Sequence, residues 1–231
     1  MRPRAVQAVL LDMGGVLLPE QQTYARAARD AALLASLAEQ GVVEPARLVA
    51  ACAERLIASY RALERVCGQP DLDLVFAEAP PAARRLLIAA FKRESSPAPY
   101  PHAREVVAAL ACHYRLGLVS NDALPGDHYE RILRRAGILR HLRCAVWSAN
   151  FGRRKPDPAM IEHVLEVLRV PRERAVFVGD KLRTDVAAAK AAGVRSIYIR
   201  KRGAPWATRA LRPDFTIGDL RALPALLRQL G

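Results

Sequence analysis

Residues 6–17, VQAVLLDMGGVL, place an aspartate directly after a short, almost continuous apolar run. Residues 6–11 have the length and composition of a strand that is buried on both faces. Asp12 follows at the carboxyl end of that run, and two glycines come soon after it. Because ligands of open parallel sheets bind at the carboxyl ends of the strands, this stretch predicts a sheet strand that delivers a carboxylate to a ligand-binding edge.

The rest of the chain extends this pattern into an alternation of strands and helices. Five further apolar runs have strand length, at 116–120, 144–147, 175–178, 196–199 and 215–217. Between them lie stretches with helical apolar spacing, at 106–111, 129–136, 161–168 and 186–189. Such alternation predicts an α/β fold, a Rossmann-like parallel sheet with helices on both faces.

Residues 20–96 depart from the alternation, since they contain no strand-like run. Their apolar residues recur at helical spacing over 33–37, 48–67 and 86–91. Prolines at 97, 99 and 101 then rule out a continuing helix. We therefore predict a core domain formed by 1–19 and 97–231, with an all-helical domain of residues 20–96 inserted after the first strand and hinges at 16–21 and 95–101.

Composition places the chain among ordinary globular proteins. It has 231 residues, of which 52% are hydrophobic and 26% charged; these values argue against intrinsic disorder and disulfide-rich miniproteins. Its four cysteines are widely spaced and form no CxxC pair, so we expect free thiols and no zinc site. No apolar run approaches the ~20 residues of a membrane helix, and Asp12 interrupts the apolar N-terminus. We expect a cytoplasmic protein without a membrane partner.

The net charge of +13 comes from 31 arginines and 5 lysines. A basic surface attracts anions such as phosphates, nucleic acids or membranes. The chain has no run of five like charges and no interleaved aromatics, so its composition does not favour a nucleic-acid partner. The basic segment 201–212 is interpreted as an exposed connection, with the alternative that it borders the site and with Trp206 as a candidate subunit contact. Oligomeric state is not predicted.

Polar residues follow three of the predicted strands. Asp12 follows the first strand, Ser120-Asn121-Asp122 the second, and Gly179-Asp180 the fourth, with Asp185 five residues further on. Lys155 precedes Pro156-Asp157-Pro158 at a helix start. Each group alone is explained by turn or helix-cap chemistry. Their common placement at strand ends predicts one convergent site.

These residues resemble the motifs of the haloacid dehalogenase superfamily, most of whose members are phosphatases, in the subclass with an inserted helical cap. Leu10-Leu11-Asp12 matches its first motif and Leu118-Val119-Ser120 its second. Lys155-Pro156-Asp157-Pro158 matches the third, and Val178-Gly179-Asp180 with Asp185 the fourth. The motifs occur in order, and the resemblance covers essentially the whole chain.

The resemblance implies a role for each matched residue. Asp12 would be the nucleophile that forms an aspartyl-phosphate on a small phosphorylated substrate, and Ser120 and the backbone of Asn121 would hold phosphoryl oxygens. Lys155 would offset the negative charge. The cofactor would be Mg²⁺, bound by Asp12, the backbone carbonyl of Gly14, Asp180 and, directly or through water, Asp185. Weaker candidates for substrate or phosphate contact are Arg153, Arg154 and Lys181.

One position departs from the family pattern. Phosphatases of the family carry a second aspartate two residues after the nucleophile, which protonates the leaving group, and here that position is Gly14. General acid–base help is typically worth ~10²–10⁴-fold, so its loss predicts a slow enzyme or one limited to good leaving groups. A cap residue or Glu20 is the candidate substitute.

Three functional hypotheses remain open at this point. The first is a Mg²⁺-dependent phosphatase acting on a small phosphorylated metabolite. The second is a weakly catalytic or non-catalytic protein that binds phosphate or a partner. The third is a metal-free 2-haloacid dehalogenase, against which the Gly179-Asp180 pair argues, because that branch of the family lacks it.

Overall fold

The computed structural model describes residues 5–20, 24, 26–95, 97–205 and 207–230. Gln21 and Ser96 of the predicted hinges lie outside these ranges, as does Trp206, the candidate subunit contact. No helix among the described residues is both long enough and apolar enough to cross a membrane.

The core is one parallel sheet of six strands in the order β3-β2-β1-β4-β5-β6. β1 lies at its centre, where Leu10 is in register with Gly117 of β2 and Phe177 of β4. The carboxyl ends of β1, β2 and β4 are therefore neighbours. The strands are β1 (Ala8–Leu11), β2 (Arg115–Ser120), β3 (Leu142–Trp147), β4 (Ala175–Gly179), β5 (Arg195–Ile199) and β6 (Phe215–Ile217).

Helices cover both faces of this sheet, which confirms the predicted fold class. Val9 and Leu11 of β1 contribute to an apolar cluster on one face, and Ala8 and Leu10 to a second cluster on the other. All four residues are fully buried, as expected for a strand of a doubly covered parallel sheet. The core helices are α5 (Ala103–Ala111), α6 (Asp127–Arg135), α7 (Ser148–Phe151), α8 (Ala159–Leu168), α9 (Ala187–Ala191) and α10 (Leu223–Gln229).

Among the described residues, four α-helices lie between β1 and α5, and we call the segment that they span, residues 31–94, the cap. Its members are α1 (Ala31–Glu39), α2 (Pro45–Ala62), α3 (Leu72–Val75) and α4 (Pro81–Glu94). They share an apolar cluster of their own, which includes Leu37, Leu56 and Phe91. α2 and α4 each have proline in their first turn, where its missing N–H costs nothing. The limits of the two domains at 19/20 and 96/97 stay a prediction.

One predicted helix is too long. Apolar spacing over 48–67 suggested a helix as far as Cys67, but α2 ends at Ala62. Leu63 accepts a hydrogen bond from the Gly68 amide at 3.1 Å, and Cys67 has a positive φ of 54°. The chain therefore turns back after α2, and Val66 is 68% exposed rather than buried.

Candidate active site

Three carboxylates meet at the carboxyl edge of the sheet. Asp12 follows β1, Asp180 follows β4, and Asp185 lies in the single helical turn Leu182–Val186. Each offers a carboxylate oxygen within 4.8 Å of the others. The adjacency of β1 and β4 brings together residues that are about 170 positions apart in sequence.

Lys155 neutralises part of the negative charge of these three carboxylates. Its Nζ lies 2.7 Å from Asp12 Oδ1 and 2.8 Å from Asp185 Oδ1, and it donates to the Val119 carbonyl at 3.0 Å. The Asn121 side chain fixes the lysine backbone, donating to the Lys155 carbonyl and accepting from its amide, both at 2.8 Å. The lysine is therefore a buried, positioned cation.

Burial and charge together set the protonation of this cluster. Burial, partly opposed by the Lys155 charge and reinforced by Asp185, raises the pKa of Asp12 to about 7. Burial alone would lower the pKa of Lys155, but the Asp12 and Asp185 carboxylates raise it well above its usual value. Lys155 therefore keeps its positive charge beside the carboxylates.

Two glycines allow the acidic residues to approach the strands so closely. Asp185 Oδ2 accepts hydrogen bonds from the amides of Asp180 and Lys181 at 3.0 and 2.9 Å. A Cβ at Gly179 would lie 2.3 Å from the Cβ of Asp185. Gly15 has a positive φ of 76°, and a Cβ there would lie 1.9 Å from Asp180 Oδ2. The site thus requires glycine at both positions.

The donor set fits a hard divalent cation. Asp180 Oδ2 accepts from Lys201 Nζ at 2.8 Å, whereas its buried Oδ1 has no hydrogen-bond partner among the described residues. Carboxylate oxygens without sulfur or imidazole are the ligands that Mg²⁺ prefers. Asp12, Asp180 and Asp185 could therefore hold Mg²⁺. The structure brings together these three predicted ligands, and Gly14 lines the cavity beside them.

A cavity of about 390 Å³ opens above this cluster, between the sheet edge and the cap. Asp12, Ser120 and Lys155 line its core side, and Tyr60 and Arg61 belong to its cap side. Its volume lies in the range of small-molecule sites. The cap therefore encloses the space in which a ligand of the carboxylate cluster would lie.

A family model described as haloacid dehalogenase-like hydrolase matches residues 6–193. The chain belongs to this family. It is 34% identical over 146 residues to a phosphoserine phosphatase from Thermus thermophilus, covering 62% of this chain and 57% of that one. It is 35% identical over 128 residues to a phosphoglycolate phosphatase from Pseudomonas fluorescens, covering 54% and 45%. The chain thus spans about half the length of these curated relatives.

A solved 2-haloacid dehalogenase from Pseudomonas syringae superposes with a TM-score of 0.68 at 24% identity, covering 98% of this chain and 100% of that one. At this identity the likeness shows the shared fold. The family resemblance drawn from the four motifs is thus confirmed, and the chain is a haloacid dehalogenase-like hydrolase with helices inserted after its first strand.

Arg153, Arg154 and Lys181, the weaker candidates for substrate or phosphate contact in this haloacid dehalogenase-like hydrolase, differ in their surroundings. Arg154 is buried, with its guanidinium 3.9 Å from the centre of the Tyr60 ring and a hydrogen bond to the Tyr60 carbonyl. Lys181 pairs with Glu20, and both line the cavity. Arg153 pairs with Asp157 and does not line it. Arg154, Lys181 and Glu20 thus border the ligand space, while their roles stay predictions.

Sequence reasoning gave no role to two residues of this site. Most described residues of the basic segment 201–212 are exposed, but Lys201 reaches back to pair with Asp180. Asp122 was noted at the end of β2 without a function, and it is one of the residues that line the cavity. In the sequence, the contact of Lys201 was indicated only by its position just after β5. The place of Asp122 in the cavity was indicated only by its position after Asn121.

Proposed function

We propose that this hydrolase is a Mg²⁺-dependent phosphatase that acts on a small phosphomonoester through a covalent intermediate on Asp12. The supporting observation is Lys155, which lies between Asp12 and Asp185 at the base of the cavity, with Asp180 beside them. This arrangement joins a buried nucleophile to the positive charge that a phosphoryl dianion requires. The curated phosphatase relatives support the same class of reaction.

The proposed chemistry has two steps. A carboxylate oxygen of Asp12 attacks phosphorus, and the bond from phosphorus to the leaving oxygen breaks. Water then attacks the aspartyl-phosphate, releasing inorganic phosphate and regenerating the carboxylate. The positive charge of Lys155 lies beside the reacting groups. Ser120, buried at the end of β2, supplies a hydroxyl that can donate a hydrogen bond to a phosphoryl oxygen. A divalent cation held by the carboxylates would offset the charge that develops on phosphoryl oxygens.

Gly14 shapes the proposed substrate range. The leaving oxygen departs with a negative charge unless a proton reaches it, and Gly14 offers no side chain for this transfer. A missing general acid costs typically ~10²–10⁴-fold out of total accelerations of roughly 10⁶-fold or more. We propose that turnover is slow for alkyl phosphates and faster for acyl phosphates and other compounds with good leaving groups.

Phosphate release from acetyl phosphate, p-nitrophenyl phosphate and propyl phosphate tests this function. We expect release that requires Mg²⁺, ceases with a chelator, and follows leaving-group quality. Asp12→Asn, which has the same shape but lacks the nucleophile, should lower the rate by ~10³-fold or more, because the covalent step is lost.

Release no faster than that of Asp12→Asn on every substrate would contradict the proposal. In that case, phosphate binding measured by calorimetry would favour a non-catalytic binding protein. Chloride release from 2-chloropropionate in the presence of chelator would instead favour the dehalogenase hypothesis.

A further inference from the structure

Arg154, the residue directly before Lys155, contacts the cap through both its backbone and its side chain. Its amide donates a hydrogen bond to the Cys67 carbonyl at 2.9 Å. Its guanidinium donates to the Tyr60 carbonyl and lies 3.9 Å from the centre of the Tyr60 ring. Only 2% of the residue is exposed. Arg154 thus forms a buried contact between the core and the cap.

The guanidinium lies at the end of helix α2, where a donor and a positive charge are both favourable. The last carbonyls of a helix lack partners within it, and the Glu64 amide donates to the Arg61 carbonyl. Arg154 gives the Tyr60 carbonyl a donor and places a cation at the negative end of the helix dipole. Cys67 belongs to the turn that follows α2. The end of α2 and this turn are therefore both hydrogen-bonded to one core residue.

On its other side, Arg154 is one peptide bond away from the cation of the candidate site. The Lys155 amide donates to Asn121 Oδ1 at 2.8 Å, and the Asp157 amide donates to the Arg154 carbonyl at 3.1 Å. The Lys155 ammonium lies among the carboxylates of the site. A displacement of the Arg154 backbone would therefore pass directly to Lys155.

A second contact between the cap and the core has a different character. Lys92 of α4 donates to Asp127 Oδ1 of α6 at 2.8 Å, and the Asp127 side chain is 52% exposed. Water screens an exposed ion pair of this kind, so it contributes little to holding the two parts together. Neither residue lines the ligand cavity. Of these two contacts, only that of Arg154 joins the position of the cap to the site.

We propose that Arg154 is a positioning residue that couples the placement of the cap to that of Lys155. Tyr60 and Arg61 line the cavity from the cap, and Lys155 lines it from the core. Without the Arg154 contact, both sides of the cavity are free to shift, and a displacement of about 1 Å can cost ~10²-fold in rate. This inference rests on the proposed phosphatase function and adds a residue to it.

Hydrogen exchange read by mass spectrometry tests the coupling without substrate. Arg154→Met keeps the aliphatic stem and removes the guanidinium. It should raise the exchange rates of amides 63–68, and also that of the Lys155 amide, by about tenfold, because the contact that holds both segments is lost. Amides of β4 should be unchanged, since the core stays folded. The matched control is Lys92→Met, which removes the exposed contact and should change these rates by less than about twofold.

Tyr60→Leu provides a second route to the same contact, because it removes the ring beneath the guanidinium and leaves Arg154 in place. It should raise the same exchange rates by at least about threefold. The double variant Arg154→Met/Tyr60→Leu should exchange no faster than Arg154→Met alone, because both substitutions break one contact. Rates that neither Arg154→Met nor Tyr60→Leu changes, or effects that multiply in the double variant, would overturn the proposal.

Kinetics on acetyl phosphate with Mg²⁺ separate positioning from direct substrate contact. Arg154→Met should lower kcat by about 10–100-fold and change KM by less than about threefold, because it displaces Lys155 without removing a group that binds the substrate. A higher KM at unchanged kcat would show that Arg154 contacts the substrate, and would overturn the proposal. Absence of phosphatase activity in the unsubstituted protein would count against the proposed function, and the exchange rates would still decide whether Arg154 couples the cap to Lys155.

Discussion

Replacing Gly14 with aspartate is expected to raise the turnover number for alkyl phosphates by about 100-fold or more, because it supplies the missing general acid. The geometry permits the change, since a Cβ at Gly14 meets no atom within 4 Å. Gly14 also lines the cavity two residues after Asp12. The adjacent Gly15 could not take this role, because its Cβ would collide with Asp180.

The measurement compares the turnover numbers of Gly14→Asp and the unsubstituted enzyme on propyl phosphate and on acetyl phosphate. The gain should be largest for propyl phosphate, whose leaving group is the stronger base and most needs a proton. Gly14→Asn is the matched control, with the same size but no acidic proton, and should give no gain. An equal gain from Asn, or none from Asp despite intact folding, would show that proton transfer does not limit this enzyme.

Lys155→Met is expected to lower kcat/KM by about 10²–10³-fold and the free energy of unfolding by about 3–5 kcal/mol in the absence of metal. Lys155 is the buried partner of both Asp12 and Asp185. Its removal leaves buried carboxylates facing each other without a cation. Methionine keeps most of the volume, so the loss reports charge rather than a cavity.

Urea unfolding in the presence of chelator measures the stability loss, because an added divalent cation would partly replace the missing charge. For a domain of this size the loss corresponds to a fall in Tm of roughly 6–20 °C. Lys190→Met is the control, since Lys190 is exposed on α9 and should change stability by less than about 0.5 kcal/mol. Equal stabilities for the two variants would show that Lys155 is not the charge that holds the carboxylates together.

The sheet and its motif residues could be predicted from sequence because strands buried on both faces are nearly continuous apolar runs. Leu10 and Phe177 belong to two such runs. Each run is followed closely by an aspartate of the candidate site, Asp12 or Asp180. Strand ends of a parallel sheet meet at one edge, so Asp12 and Asp180 could be expected to lie together before their distance was known. The end of α2 could not be predicted from the sequence, because the apolar spacing continues through Val66 although the chain turns back after Ala62.

The remaining part of the site depends on contacts that no local pattern encodes. The pairing of Lys201 with Asp180 joins residues from the ends of two strands. The cavity in turn is formed by Tyr60 of the cap and Tyr129 of the core together. A sequence shows which residues carry carboxylates, but not which of their oxygens lack a donor.

The most direct test of the proposed nucleophile is a search for phosphate on Asp12. Enzyme mixed with acetyl phosphate and Mg²⁺ is quenched in acid and digested, and the peptides are examined by mass spectrometry. Without a general base at Gly14, hydrolysis of the intermediate should be slow, so it should accumulate. We expect the mass of one phosphoryl group on the peptide containing Asp12, and none in Asp12→Asn. Phosphate release from the active enzyme with no phosphoryl group on Asp12 would contradict the covalent mechanism.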